Sequence, residues 1–262
     1  MSFAQTVLLG AIAGLTIFFG LPIGRISNVS QRLRTFLTMV SSGILVFLLF
    51  DIFSHIKDPI EAAVKGAMAG TASATEPAGL LVLFVLGLAT GLIGLVAFEA
   101  RVMRASKELG QPPSPARLAM MIAAGLGLHN FSEGLAIGQS AGQGQLALAA
   151  LLIVGFGLHN ATEGFGIVGP LAGTRPSWGF LGIAGLVGGG PTFIGTMIGY
   201  SFISTPLSVL FLAVAAGAIL YVIGELFHVG RRPGTKNVAM GGLMTGFLIA
   251  YGTEIVLEMA GG

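Results

Sequence analysis

Apolar residues run almost unbroken through eight stretches of this chain, roughly residues 6–24, 35–55, 79–100, 117–138, 145–169, 179–203, 207–229 and 238–259. Each is close to the roughly 20 residues that a helix needs to cross a bilayer core. The pattern predicts an all-α polytopic membrane protein with eight transmembrane helices. Met1 to Thr6 lacks the basic region of a cleavable leader and leads straight into the first run, so that run is expected to be a permanent span.

Two polar octets interrupt this background. Gly127-Leu128-His129-Asn130-Phe131-Ser132-Glu133-Gly134 returns thirty residues later as Gly157-Leu158-His159-Asn160-Ala161-Thr162-Glu163-Gly164. On a helix, His at i and Glu at i+4 project from one side, and Asn at i+1 lies one turn from the same Glu. An ionisable group in the bilayer core costs about 2.5 kcal/mol or more, so it should face a partner, a cavity or an ion. The uncharged segment Gln139 to Gln145 predicts a tight antiparallel hairpin of spans 4 and 5, in which the octets meet. At 1.5 Å per residue, His129 lies about 18 Å from Arg117 and His159 about 21 Å from Gln145. Both are therefore near the middle of a roughly 30 Å core, reached from opposite sides.

Imidazole combined with carboxylate suits Zn²⁺, Fe²⁺ or Mn²⁺, whereas Ca²⁺ and Mg²⁺ prefer mostly oxygen donors. His129, Glu133, His159 and Glu163 form a candidate four-ligand site, and Asn130 and Asn160 offer carbonyl oxygens to a neighbouring one. The competing reading is a pair of His–Glu hydrogen bonds that clamp two helices. Two copies at matching depth favour the metal.

A second correspondence links spans 2 and 7. Asp51 follows Gly43 by eight residues and Glu225 follows Gly217 by eight, and His55 and His228 come about one turn after each acid. These pairs are candidate ligands for an ion's access and release. In span 6, Gly188-Gly189-Gly190-Pro191 predicts a break, because glycine is permissive and proline deletes a backbone donor. The segment Lys57 to Ala78 is rich in small residues and reads as a flexible external loop, and Gln111-Pro112-Pro113-Ser114-Pro115 reads as a short basic turn.

Charge fixes the expected orientation. Eleven of the thirteen Lys and Arg residues fall in the loops between spans 1–2, 3–4, 5–6 and 7–8, and only Lys57 and Lys65 fall on the other side. Basic residues favour the cytoplasm, so both termini are expected outside it, in a multi-pass protein of the cell (inner) membrane. The same distribution makes nucleic acid an unlikely partner despite a net charge of +2. Of 262 residues, 54% are hydrophobic and 9% charged, against about 25% charged in a soluble domain. Residues 1–262 read as a single transmembrane domain, with no composition break to mark a soluble one. The absence of cysteine removes disulfides and thiolate ligands.

The His-Asn-x-x-Glu-Gly pattern of span 4, its relative in span 5, and Gly217-x-x-x-Tyr221-x-x-x-Glu225-Leu226 in span 7 resemble the Zrt/Irt-like (ZIP) metal transporters of the short-loop prokaryotic branch. The resemblance implies a 3+2+3 helix arrangement, with spans 1–3 and 6–8 as inverted repeats about the 4–5 hairpin. It also implies transport of a divalent transition metal toward the cytoplasm, zinc foremost, with iron, manganese or cadmium as alternatives, and a homodimer as the assembly to test. His129, Asn130, Glu133, His159, Asn160, Glu163 and Glu225 match family positions that bind or conduct metal. Three features depart from the family. Ser132 and Thr162 stand where proline is common, Gly190 stands where span 6 often carries Glu, and the His-rich loop is missing. The loss of that Glu favours one principal ion. The metal is substrate here, and no resident cofactor or enzymatic activity is expected. An intramembrane metalloprotease would need His-Glu-x-x-His, and both octets have Glu at i+4 instead. A proton-conducting membrane protein is the remaining alternative, since the same carboxylates can relay protons.

Overall fold

A computed structural model describes residues 1–26, 30–108, 114–171, 173–202, 204–230 and 234–261. Among them the chain forms eight α-helices: α1 (Phe3–Leu15), α2 (Gln31–Met68), α3 (Thr75–Glu108), α4 (Pro115–Gly142), α5 (Leu146–Val168), α6 (Trp178–Ser201), α7 (Thr205–Gly230) and α8 (Lys236–Gly261). Three short 3₁₀ turns, Thr16–Phe19, Leu21–Arg25 and Gly169–Leu171, complete the described secondary structure. Serine side chains at positions 2, 30, 114 and 177 accept a backbone N–H and so fix where α1, α2, α4 and α6 begin. By length and composition five segments could cross a membrane: Phe3–Arg25, Gln31–Met68, Thr75–Arg101, Trp178–Ser201 and Thr205–His228.

Three expectations are corrected. The supposed flexible loop after Lys57 is largely helix, since α2 continues to Met68 with Pro59 inside it and α3 begins at Thr75. Alanine is the best helix former, so a small-residue stretch rich in it extends a helix. Glu61 also sits between Lys57 and Lys65, at 3.7 and 2.7 Å, in i,i+4 pairs that support the same turns. Likewise Arg101, Arg104 and Lys107 belong to α3 rather than to a loop. Most of the proline-rich turn, residues 111–113, and Arg231 and Arg232 lie outside the described residues. Finally, α6 runs unbroken through the glycine triplet and Pro191.

The glycines of α6 serve close packing. A Cβ on Gly189 would collide with the Gly14 carbonyl of α1, and one on Gly188 with Ile17 and Ile167. The backbone irregularity falls in α1 instead, which tightens into 3₁₀ geometry from Thr16 and meets Pro22 in the following turn.

Packing divides the helices into two sets. The most extensive contact is α4 against α6, and α1 packs on both α6 and α5; on the other side α2 pairs with α8 and α3 with α7. The sets meet chiefly where α4 touches α7 and, less extensively, where α2 touches α5. Within the first set the helices approach to backbone contact. A Cβ on Gly134 would strike the Thr192 carbonyl, one on Gly138 the Thr196 carbonyl, and one on Gly195 the Phe131 carbonyl. Such proximity is how membrane helices gain packing energy without a hydrophobic driving force between them.

Gly134→Ala is therefore expected to lower stability by about 1–3 kcal/mol through overpacking, whereas Gly94→Ala, whose Cβ would meet nothing within 4 Å, should be tolerated. Thermal midpoints of the two purified variants in detergent check this; equal midpoints would remove the packing role assigned to Gly134.

Candidate metal-binding site

The α4–α5 hairpin closes through residues 143–145, with Gly144 at φ +77°. That is a left-handed turn position, which glycine adopts without penalty. Its two arms place the octets side by side. His129, Asn130, Glu133, His159, Asn160 and Glu163 are all buried, none more than 6% exposed.

The arms are tied reciprocally. Asn130 Nδ2 donates to Glu163 Oε2 at 3.1 Å, and Asn160 Nδ2 donates to Glu133 Oε2 at 3.4 Å. Each amide also anchors to a different flanking helix: Asn130 to the Gly188 carbonyl of α6 at 3.0 Å, and Asn160 to the Ala13 carbonyl of α1 at 3.2 Å. The closing glycines match as well, since a Cβ on Gly134 would strike Thr192 of α6 and one on Gly164 would strike Ile17 after α1. Thr16 Oγ1 adds a hydrogen bond to the Gly157 carbonyl. The asparagine and closing glycine of each octet thus meet corresponding neighbours, supplied by α6 for one octet and by α1 and the turn after it for the other.

Between the arms, His129 Nε2 lies 3.1 Å from Glu133 Oε1 and 3.7 Å from Glu163 Oε1. The Asn130 and Asn160 Oδ1 atoms, Glu133 and Glu163 Oε1, and both ring nitrogens of His129 and His159 are buried without a hydrogen-bond partner. The short His129–Glu133 approach is thus a close polar contact lacking hydrogen-bond geometry. Leaving such groups unpaired costs about 1–3 kcal/mol each, so this concentration of unpaired acceptors and ring nitrogens calls for a ligand or bridging solvent.

The structure brings together five of the eight predicted site residues: His129, Asn130, Glu133, Asn160 and Glu163. His159 is buried next to them, but its ring contacts neither glutamate. Among the described residues, no three His, Asp or Glu side chains stand around a common point as a metal would require. The expected four-ligand arrangement is therefore not preassembled; His129 fills the space between the carboxylates.

Asp51 is connected to this cluster through space. A cavity of about 40 Å³ is lined by Asp51 and His55 of α2, His129, Ser132 and Glu133 of α4, Phe156 of α5 and Leu212 of α7, among others. One water needs about 10–15 Å³ on this measure, so the cavity holds a few. His55 Nδ1 lies 3.5 Å from Asp51 Oδ1, with more than half of its side chain exposed, so the cavity leads from an exposed imidazole to buried His129 and Glu133. Glu225 does not join this cluster. It lies half-buried on α7 within electrostatic reach of His228 and of Glu99 on α3, with Tyr221 beside both acids. Sequence reasoning passed over Glu99, although it is the one acid in the third apolar run.

Two further polar contacts went unforeseen, because neither follows a repeat. Ser132 Oγ donates to the Phe211 carbonyl at 3.1 Å, and Gln139 exchanges hydrogen bonds of 2.9 and 3.0 Å with Ser208. Both join α4 to α7, across the boundary between the two helix sets. Ser132 and Thr162 occupy positions where a proline would kink the helix, and here α4 and α5 continue while the hydroxyls bond to backbone carbonyls.

A scan of protein-family models finds none that matches this chain, and a search of curated proteins finds no match. The class defined by fold and site is an all-helical bundle, of the length and apolarity that suit a membrane, with a buried His/Asn/Glu cluster between paired helices.

A double-mutant cycle of Asn130→Ala with Glu163→Ala should show a coupling of about 0.5–3 kcal/mol in unfolding free energy, and a cycle of Asn130→Ala with Glu225→Ala should show none beyond error. Additive effects in the first pair would mean that the reciprocal bonds do not tie the arms.

Proposed function

We propose that this protein is a membrane transporter for a divalent transition metal, with zinc as the expected cargo and iron, manganese and cadmium as competitors, moving the ion toward the cytoplasm through the His/Glu cluster of α4 and α5. The observation that carries this reading is the set of buried nitrogen and oxygen atoms on His129, Asn130, Glu133, His159, Asn160 and Glu163 that have no hydrogen-bond partner, drawn from twin motifs inside an apolar bundle. Neutral imidazole with carboxylate and amide oxygen is a donor set for zinc and its neighbours.

The path follows from the placement of the other candidates. An ion captured at Asp51 and His55 enters the cavity that reaches His129 and Glu133, displaces His129 from its contact with the carboxylates, and is taken up between the two arms. His159 swings in as the additional nitrogen ligand. Glu225, with Glu99 and His228, receives the ion on the other side. The excess of basic residues at that end supports a cytoplasmic location for it, with both termini outside a cell membrane.

The packing pattern supports the 3+2+3 inverted arrangement. Exchanging helices 1–3 with 6–8 and α4 with α5 turns the contact of α4 on α6 into that of α5 on α1, and the contact of α3 on α7 into that of α8 on α2, all of which occur. The Asn130 anchor on α6 and the Asn160 anchor on α1 exchange in the same way. Backbone-close packing makes α1, α4, α5 and α6 the body that moves the site against α2, α3, α7 and α8, with Ser132–Phe211 and Gln139–Ser208 as contacts broken in the movement.

In reconstituted liposomes, Glu133→Gln and Glu163→Gln, which preserve side-chain shape, are each expected to reduce zinc uptake at least ~100-fold, given the 10–100-fold cost of disturbing even a ligand's supporting partner. Uptake by the wild type should fall as external pH drops, because imidazole and carboxylate must lose protons to bind metal. Proton flux that persists without metal and is lost in the same variants would identify a proton conductor instead. Asp51→Ala should raise the metal concentration for half-maximal uptake and leave the maximal rate within about twofold, and no change in either would remove Asp51 from the path. The chain has no cysteine, so Gln139→Cys/Ser208→Cys can be joined by a short thiol cross-linker; uptake should stop and return on cleavage.

A further inference from the structure

We infer that the arginine-rich end of the bundle holds a specific site for the phosphate headgroup of an anionic phospholipid, centred on Arg34. Residues 21–38 contain Arg25, Arg32 and Arg34, residues 165–180 contain Arg175, and neither segment contains an Asp or Glu. Net charge at a helix end is ordinary for a membrane protein and would by itself mean only orientation. The placement of Arg34 adds more. Its side chain lines a cavity with Ile23, Gly24, Leu37, Phe165, Val168 and Gly169, and its Nε is buried without a hydrogen-bond partner.

A guanidinium donor in apolar surroundings is costly unless an anion meets it, and planar forked donors fit phosphate oxygens. The cavity, about 20 Å³, takes one atom of oxygen size and not a whole headgroup. The headgroup phosphate therefore meets half-buried Arg34 from outside the cavity, and the lipid's chain lies along the apolar lining. Arg25 flanks this end in a fixed pose, 4.7 Å from the Trp178 ring centroid and bonded to the Pro176 carbonyl. An aromatic side chain at this level suits the headgroup region. A membrane amphiphile meets both the apolar lining and the charge, whereas a free phosphate would meet only the charge.

The site joins α2 to the end of α5, five residues beyond Glu163, so its occupant would brace the hairpin arm that carries half of the metal cluster. The inference rests on the chain lying in a bilayer and not on metal transport, and it is read without any metal.

The test uses delipidated full-length protein and native mass spectrometry, with phosphatidylglycerol or phosphatidylcholine added back. The wild type should retain phosphatidylglycerol in preference to phosphatidylcholine. Arg34→Gln should reduce that preference about fivefold, as loss of one basic residue near the membrane surface predicts, and Arg34→Lys should also reduce it, because an ammonium lacks the planar forked donors that fit phosphate. Arg34→Lys keeps the charge and guards against a misfolded variant, while removing the planar guanidinium. Arg104→Gln, an exposed arginine on α3, should leave the preference unchanged. The inference is overturned if Arg34→Lys retains the full preference, if Arg104→Gln matches Arg34→Gln and so reveals charge alone, or if inorganic phosphate displaces the lipid at equal concentration.

Discussion

Burying two carboxylates, two imidazoles and two carboxamides inside an apolar bundle is the constraint around which this structure is arranged. Alone, an ionised carboxylate in such surroundings would either take up a proton or destabilise the fold. The chain meets the cost in part by crossing its partners: each asparagine serves the glutamate of the opposite arm and a carbonyl of a flanking helix. One hydrogen of each amide thus orients a carboxylate, and the other holds the hairpin in register with α6 or α1. What these bonds leave over is chemically informative. The remaining amide oxygens, carboxylate oxygens and ring nitrogens are acceptors or metal ligands, apart from the one ring N–H that each neutral imidazole retains. A cluster in which acceptors outnumber donors is better suited to a cation than to closing on itself.

Close helix approach makes the crossed arrangement geometrically available. An amide nitrogen reaches across to a neighbouring helix's carbonyl only if the backbones are near, and the glycines at 134, 138, 164, 189, 195 and 199 bring them to contact. The polar chemistry and the glycine content are therefore one feature. Replacing either glycine at the end of an octet would displace the carboxylate beside it. The opposite set of helices uses the same device without the polar cargo: a Cβ on Gly43 or Gly246 would strike the partner backbone between α2 and α8, as would one on Gly91 or Gly217 between α3 and α7.

Much of this was legible in the amino-acid order, for reasons that differ by element. The eight helices, the tight hairpin and the shared face of His129 and Glu133 follow from helical periodicity and composition, which are local. Asp51 and His55 were recognisable as a pair because i,i+4 spacing is local too. The loop after Lys57 was misread because small residues were taken as flexible, although Ala62, Ala63 and Ala67 favour helix, and the break in α6 because glycine and proline were taken at their intrinsic preferences, whereas the α6 glycines pack against α1 and α4. The pairing of Asn130 with Glu163 rather than with the glutamate on its own helix is tertiary, and so is Glu99 beside Glu225. No spacing rule within one helix announces either. His129 occupying the space between the carboxylates was also hidden, since spacing specifies which side of a helix a residue takes and not the rotamer it adopts there.

The same cluster bears on how an ion would be both held and released. A rigid site with every ligand in place binds tightly and gives up its cargo slowly. Here His129 already contacts both glutamates, and His159 stands buried without a hydrogen bond or ion pair, so ion uptake must exchange one set of contacts for another. In the proposed transport that exchange would lower affinity by the free energy of the His129–carboxylate contacts, and His129 would act as an internal competitor for the carboxylates when the ion leaves. Asn130 and Asn160 do not need to move in the exchange, because their donor nitrogens stay with backbone and carboxylate while their oxygens remain free. In the proposed transport the asparagines would be the fixed frame and the histidines the moving ligands, an arrangement better suited to passage than to storage.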